Sequence, residues 1–210
     1  MKENIQTASS KSKDNLWDLI KTLAVAIFLM LAVRFLVFQP YFVSGSSMEP
    51  DFHNGQYILI DELSYRFSEP KRGEVIVFKH PDTQCTAYVE GSPFLKNILS
   101  GPCNNYIKRI IGLPSETVVI ANGKVMIKNT ENPDGFILDE NYIQPSLPTL
   151  GDQTITLGDD EYFVLGDNRL PYASSDSREW GLLKKEYING KAFVTLFPPS
   201  DIGIIHTARY

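Results

Sequence analysis

The sequence is poor in cysteine and histidine and has no basic stretch. Its 210 residues include two cysteines, Cys85 and Cys103, and three isolated histidines, His53, His80 and His206. No Cys-x-x-Cys pair or Cys/His ligand spacing is present, so we expect no structural zinc site. We also expect no cofactor. The formal net charge is −5, which argues against nucleic-acid binding as the main role.

The sequence also lacks long helical periodicity beyond residue 38. Short segments rich in Ile, Val, Tyr and Phe alternate there with turn residues, which predicts an all-β or mostly β domain. Strands are predicted at 56–63, 74–80, 106–112, 153–157, 161–167 and 191–197. A hairpin is predicted at 116–128, where Asn122-Gly123 supplies the residue pair that a tight turn prefers. Segments 81–104 and 129–152 break the pattern and are expected to be inserted loops.

One long apolar run is present, from Thr22 to Phe38. It contains 17 residues and a single charge, Arg34. A membrane-spanning helix needs roughly 20 apolar residues, with about 17 as the lower limit. Trp17, Tyr41 and Phe42 lie at the ends of the run, where aromatic side chains suit the membrane interface. The run therefore predicts a transmembrane anchor.

The predicted layout is a cytoplasmic tail (1–21), the anchor (22–38) and an extracytoplasmic β-rich domain (39–210). Lysines before the run favour a cytoplasmic N-terminus. A cleavable secretory signal is the alternative, because the small residues Val43-Ser44-Gly45 follow the run closely. Both interpretations place residues 43–210 outside the cytoplasm. In an oxidising compartment Cys85 and Cys103 could form a disulfide worth about 3 kcal/mol, with two free thiols as the alternative.

A serine-rich stretch, SGSSMEP (44–50), follows the apolar run. Its composition fits a linker as well as a nucleophile loop. A reactive serine needs a base, and no histidine here lies in a recognisable triad motif. A lysine can act as the base if burial lowers its pKa. Lys108, in the apolar predicted strand YIKRIIG, is the candidate, and a solvated lysine on an edge strand is the alternative.

Four sequence blocks follow one another in a specific order. They are FVSGSSMEP (42–50), NGQYILIDELSYRF (54–67), KRGEVIVFKHP (71–81) with NYIKRIIGLPSETV (105–118), and GDNR (166–169) with SSDSREWG (174–181). In this order they resemble the bacterial type I signal peptidases, which are membrane-anchored Ser/Lys endopeptidases. The resemblance implies a mostly β domain, an antiparallel sheet or barrel, after one N-terminal transmembrane helix.

By motif position, the resemblance implies that Ser47 is the nucleophile and Lys108 the general base. The Ser47 N–H would be one oxyanion donor. The residues with implied supporting roles are Arg109, Asp167, Ser174, Asp176 and Arg178. Ser174 would orient the Lys108 amine, with Ser175 as the alternative because the segment before it is slightly long. Asp176 and Arg178 would form an ion pair.

The resemblance also implies a substrate groove. The residues expected to line it or to let substrate approach are Tyr41, Val43, Gly45, Met48, Ile58, Val77, Tyr106 and Ile107. Shallow apolar pockets would accept the small side chains of an Ala-x-Ala signal-peptide end. The sequence departs from the family at three places in this region, one of which is Gly55-Gln56 in place of a common Gly-Asp. Gly45 stands where some members carry an oxyanion serine, and Asp51 stands where threonine is common.

The implied function is removal of signal peptides from exported preproteins at the outer face of the bacterial cytoplasmic membrane. Membrane lipid is an expected partner, and Phe42 and Phe52 either insert among the headgroups or pack in the core. The alternatives are a self-cleaving repressor-type Ser/Lys peptidase, a peptidase with few substrates, and a non-catalytic membrane-anchored β-domain. The last alternative predicts that the heteroatoms of Ser47 and Lys108 lie more than about 4 Å apart.

Overall fold

A computed structural model describes residues 17–29, 38–81, 105–144 and 147–210. The chain divides into two compact units, Met1–Gln39 and Pro40–Tyr210. In the first unit, residues 17–29 form helix α1 with exposed side chains. Within the described ranges, no helix has both the length and the apolar character needed to cross a membrane. The anchor predicted at 22–38 is described only at 22–29 and 38, and Cys85 and Cys103 lie outside the described residues.

From residue 38 onward, the described residues form two antiparallel sheets. The larger sheet contains β1 (Phe38–Phe42), β2 (Tyr57–Asp61), β3 (Val75–Lys79), β4 (Asn105–Gly112), β9 (Glu161–Leu165), β10 (Leu183–Lys184), β11 (Ile188–Phe197) and β12 (Gly203–Ile204). Its order is β1-β2-β11-β3-β4-β9-β10, with β12 paired to β11. The smaller sheet contains β5 (Thr117–Ala121), β6 (Lys124–Lys128), β7 (Phe136–Ile137) and β8 (Gln153–Thr156) in the order β7-β6-β5-β8.

Helical structure in the second unit is short. A four-residue helix, α2 (Ser177–Trp180), follows β9, and 3-10 turns occupy Ser64–Arg66, Lys185–Tyr187 and Pro199–Asp201. The predicted mostly β class is therefore confirmed for the described domain. The predicted hairpin is also present. Asn122 and Gly123 join β5 to β6 with φ values of 52° and 76°, the left-handed conformations that a tight hairpin turn requires.

Strand β4 connects the parts of the larger sheet. Its first half pairs with β3, where Lys108 lies opposite Ile76 and Ile107 opposite Val77. Its pairing with β9 begins at Arg109, opposite Leu165. One side of the first half of β4 therefore has no strand partner from β9, whereas the second half is paired on that side.

A core cluster lies under the segment that joins β1 to β2. We call residues 44–52 of this segment the serine turn. Met48 and Phe52, which are 1% and 3% exposed, point from this turn into the cluster. The other buried members of the cluster are Val43, Ile58, Ile60, Val75, Val77 and Ala192. Of the two alternatives for Phe52, packing in the core is the one observed, because its side chain is buried in this cluster, whereas Phe42 is exposed.

Segment 129–152 is more than the surface loop that its composition predicts. It contributes β7, which pairs with β6. It also buries Leu138 and Thr149, and Glu140 forms an ion pair with Arg169. The many turn residues of the segment predict a loop and give no indication of these contacts, since each contact depends on a partner outside the segment.

Candidate active site

Ser47 and Lys108 meet at the junction of the serine turn and β4. Lys108 Nζ donates a hydrogen bond to Ser47 Oγ at 2.7 Å and another to the Ile107 carbonyl at 2.8 Å. Lys108 is only 2% exposed. The contact is far shorter than the separation that a non-catalytic domain predicts. A serine oxygen this close to an amine can exchange a proton with it once the amine is neutral.

The surroundings of Lys108 favour the neutral amine. Burial lowers the pKa of Lys108 to about 8, because removing water penalises the ammonium form. The negative charges of Asp176 and Asp167 act in the opposite direction and raise the pKa of Lys108. The resulting pKa is that of a lysine which can accept a proton in mildly alkaline solution.

Asn168 binds the backbone of the serine turn through two hydrogen bonds. Its backbone N–H donates to the Ser47 carbonyl at 3.1 Å, and its side-chain amide donates to the Ser46 carbonyl at 3.0 Å. Residue-by-residue reasoning missed Asn168, although it lies inside the recognised GDNR block. Two carbonyls bound by one residue restrict the backbone from which the Ser47 hydroxyl projects.

Arg109, the neighbour of Lys108, is held by carboxylates. Its Nε and Nη2 donate to the two oxygens of Asp167 at 2.8 and 2.6 Å, and Nη1 donates to the Gly73 carbonyl at 2.9 Å. Nη2 also donates to Asp51 at 2.7 Å. The Tyr142 ring lies 4.2 Å from the guanidinium carbon. Burial alone would lower the pKa of Arg109, but the hydrogen bonds to Asp167 raise it, so the guanidinium stays charged.

Asp176 and Arg178 form the predicted ion pair. Arg178 Nε and Nη2 donate to separate Asp176 oxygens, each at 2.8 Å. Asp176 also accepts from the Gly166 N–H at 3.1 Å. Burial by itself raises the pKa of Asp176, yet the hydrogen bonds from Arg178 and Gly166 bring the pKa below its usual value. The buried carboxylate therefore remains ionised near Lys108.

The two candidate lysine-orienting serines differ in position. Ser174 Oγ is buried, and no well-formed hydrogen bond from the described residues reaches it. It packs against Gly166, so close that a Cβ on Gly166 would overlap both Ser174 Oγ and the Ser47 carbonyl. Ser175 instead lines the groove beside Lys108. The orienting role of either serine stays a prediction.

A groove of about 480 Å³ opens beside Ser47 and Lys108. Most of the predicted pocket residues line it, and these are Tyr41, Val43, Ile58, Val77, Tyr106 and Ile107. Phe42, Ser44, Asn105 and Ser175 complete the lining. Met48 was predicted to line the groove, but it is 1% exposed and packs in the core instead. Gly45 was expected to let substrate backbone approach, and this role stays a prediction. Its φ is 95°, and the position that a Cβ would occupy has open space around it.

A serine hydroxyl in contact with a buried lysine beside a groove is the arrangement that a serine hydrolase would need if it used lysine in place of histidine. The family model for signal peptidase, peptidase S26, matches residues 16–197. The chain belongs to this family and is a serine peptidase.

Curated relatives match over most of their length. A Synechocystis protein named "Probable signal peptidase I-2" is 35% identical, and the match covers 98% of this chain and 86% of that protein. A signal peptidase I from Leptolyngbya laminosa is 34% identical over 94% of this chain and 89% of its own. A signal peptidase I from Bacillus amyloliquefaciens is 31% identical over 96% and 98%, respectively.

Proposed function

We propose that this protein is a signal peptidase I that removes signal peptides from exported preproteins, with Ser47 as nucleophile and Lys108 as general base. The observation that carries the proposal is the 2.7 Å contact between Lys108 Nζ and Ser47 Oγ at the groove. Family membership supports the reaction class, and the relatives named signal peptidase I support the substrate class.

The reaction begins with neutral Lys108, which accepts the Ser47 hydroxyl proton as Oγ attacks the carbonyl carbon of the scissile bond. The Ser47 N–H is the backbone donor expected to stabilise the oxyanion. Lys108 then gives its proton to the leaving amine, and an ester to Ser47 remains. Water attacks the ester after losing a proton to Lys108, and the new carboxyl end leaves as Ser47 regains its proton.

Substrate is proposed to bind as an extended strand along the first half of β4. This half pairs with β3 on one side, and pairing with β9 starts only at Arg109. The backbone of Tyr106 and Ile107 can therefore hydrogen-bond an added strand. The apolar pocket residues leave room for small side chains at alternate substrate positions, which suits an Ala-x-Ala end.

We further propose that the protein is a single-pass protein of the bacterial cytoplasmic membrane, with a cytoplasmic N-terminus and the β domain outside. The apolar run at 22–38 supports this location. Exposed aromatic side chains near the groove support contact of the β domain with lipid. The Phe42 and Tyr57 rings lie 5.2 Å apart, and Phe197 lies 6.2 Å from Tyr57. All three are about half exposed.

The test is mass spectrometry of a preprotein with an Ala-x-Ala end, incubated with the full chain in detergent. Wild-type protein should release one product cut after the final alanine, and the Ser47→Ala variant should release none. A matched preprotein with tryptophan in place of the final alanine should stay intact. Equal cleavage by wild type and Ser47→Ala would refute Ser47 as the nucleophile, and no cleavage by wild type would refute the function.

A further inference from the structure

Asp51 links the serine turn to the strand that carries Lys108. Its carboxylate accepts a hydrogen bond from Arg109 Nη2 at 2.7 Å. Arg109 is 1% exposed at its side chain, whereas Asp51 is 39% exposed. The ion pair therefore lies at the boundary of the core, where a surface turn meets a buried cation. The bond spans 58 residues of sequence and joins two segments that the site needs together.

The position of Asp51 within the serine turn makes this bond relevant to Ser47. Phe52 N–H donates to the Met48 carbonyl at 2.9 Å, so residues 48–52 form one closed turn. Met48 and Phe52 are both buried in the core. Asp51 therefore lies between the buried side chains of Met48 and Phe52. A shift of Asp51 would move the backbone of this turn, which directly follows Ser47.

The position of Arg109 makes the same bond relevant to Lys108. The two residues are adjacent on β4, and Asp167 holds the Arg109 guanidinium with both carboxylate oxygens. Asp167 itself precedes Asn168, whose N–H binds the Ser47 carbonyl. Besides the Lys108–Ser47 hydrogen bond, the serine turn is thus tied to β4 twice, once through Asn168 and Asp167 and once directly through Asp51.

We propose that Asp51 is a positioning residue that holds the Ser47 hydroxyl against the Lys108 amine through its bond to Arg109. The inference rests on the proposed function, because it assigns a role in that reaction. Asp51 touches neither Ser47 Oγ nor Lys108 Nζ in the described contacts, so it acts through geometry. Small misplacements of reacting groups have large effects on rate, since catalysis depends on their alignment.

The test compares Asp51→Ala and Asp51→Asn with a matched control, Glu49→Gln, in the full chain. Glu49 belongs to the same turn and is close to His53, not to Arg109. Asp51→Ala should lower kcat for a preprotein by about 10-fold to 100-fold while KM stays within about twofold. Asp51→Asn keeps an oxygen acceptor and should lose less. Glu49→Gln should retain wild-type kcat.

Thermal unfolding of each variant separates positioning from folding. If Asp51 positions Ser47, we expect kcat to fall in Asp51→Ala protein that is still fully folded at the assay temperature. The positioning role is overturned if kcat stays at the Glu49→Gln value, if KM rises while kcat is unchanged, or if activity falls only with the folded fraction. Cleavage by wild type alongside any of these results leaves the proposed function standing. An inactive wild type overturns both.

Discussion

Lys108 and Arg109 are neighbours on one strand and both are buried, yet their surroundings shift the pKa values of the two side chains in opposite directions. The region around Lys108 offers a serine oxygen and a backbone carbonyl, and burial lowers the pKa of the amine to about 8. The region around Arg109 offers two carboxylates, and the hydrogen bonds to Asp167 raise the pKa of the guanidinium. One region therefore favours loss of a proton, and the other fixes a permanent charge.

A single strand thus carries both the lysine proposed as the base and an arginine that anchors the strand to other segments. A lysine can become neutral at moderate pH, whereas an arginine cannot. The chain places the lysine beside Ser47 at the groove, and the arginine where it contacts three other segments of the fold. We therefore expect changes around Lys108 to affect mainly activity, and changes around Arg109 to affect mainly stability.

The largest expected effect follows from removing the amine of Lys108. Lys108→Met should lower kcat by at least about 10³-fold, because Ser47 loses its base. The same variant should be more stable than wild type at pH 7 by about 1–3 kcal/mol, because a buried amine with a lowered pKa destabilises the folded state. Preprotein cleavage and urea unfolding measure the two effects.

The stability gain of Lys108→Met has a defined pH dependence. The unfolded lysine has a pKa of about 10.4, above the folded value, so the penalty is fully present below pH 8 and disappears as pH rises toward that unfolded value. Lys124→Met, which alters an exposed lysine, should show neither change. Retained activity in Lys108→Met, or lower stability at pH 7, would contradict the description of this region.

The next effect tests the region around Arg109. Arg109→Met removes the partner of the fully buried Asp167 and should cost about 3–5 kcal/mol of unfolding free energy. Denaturant titration at neutral pH measures the loss, with Arg66→Met at an exposed site as the control. A loss as small as the ~1 kcal/mol typical of surface ion pairs would show that this cluster does not hold the fold.

A smaller effect is expected where the two regions meet, at Gly166. A methyl group there would overlap Ser174 Oγ and the Ser47 carbonyl. Gly166→Ala should therefore cost about 1–3 kcal/mol and also lower kcat by displacing Ser47. Gly203→Ala, whose new Cβ would have only one neighbour at 3.9 Å, is the matched control. Unfolding and cleavage assays on both variants measure the two effects. A Gly166→Ala variant with wild-type stability and kcat would argue against tight packing at this position.

Much of this architecture follows from local sequence. The strands predicted at 74–80 and 161–167 are observed as Val75–Lys79 and Glu161–Leu165, because short continuous runs of apolar residues bounded by turn residues are typical of fully buried strands. The turn at Asn122-Gly123 was predictable for the same kind of local reason. Lys108 could be proposed as a base because it interrupts an apolar strand, and the resemblance then singled out Ser47.

The contacts that the sequence did not predict all join distant segments. Asp51 and Arg109 are separated by 58 residues, and Arg169 and Glu140 by 29. Local pattern carries no information about such pairs, since each residue alone resembles an ordinary surface charge. Phe52 was ambiguous for the same reason. Its burial depends on how the serine turn packs on β2 and β3, which only the folded arrangement determines.

The smallest expected effect is a shift in the pKa of Lys108 when the nearby negative charge of Asp176 is removed. The negative charge of Asp176 raises the pKa of Lys108, so its removal favours the neutral amine. Asp176→Asn should move the rising limb of the kcat–pH profile toward lower pH, by less than about one unit. The profile, measured on wild type and variant in the same buffers, tests the sign. A shift toward higher pH would contradict it.

Direct titration of the Lys108 amine tests most directly whether this group can become neutral and act as a base. NMR of protein labelled at the lysine side chains can follow Lys108 from about pH 6 to about pH 11, with its signal assigned by its loss in Lys108→Arg. We expect a midpoint at about pH 8. A midpoint near the value of about 10.4 for an unperturbed lysine would show that burial does not favour the neutral amine.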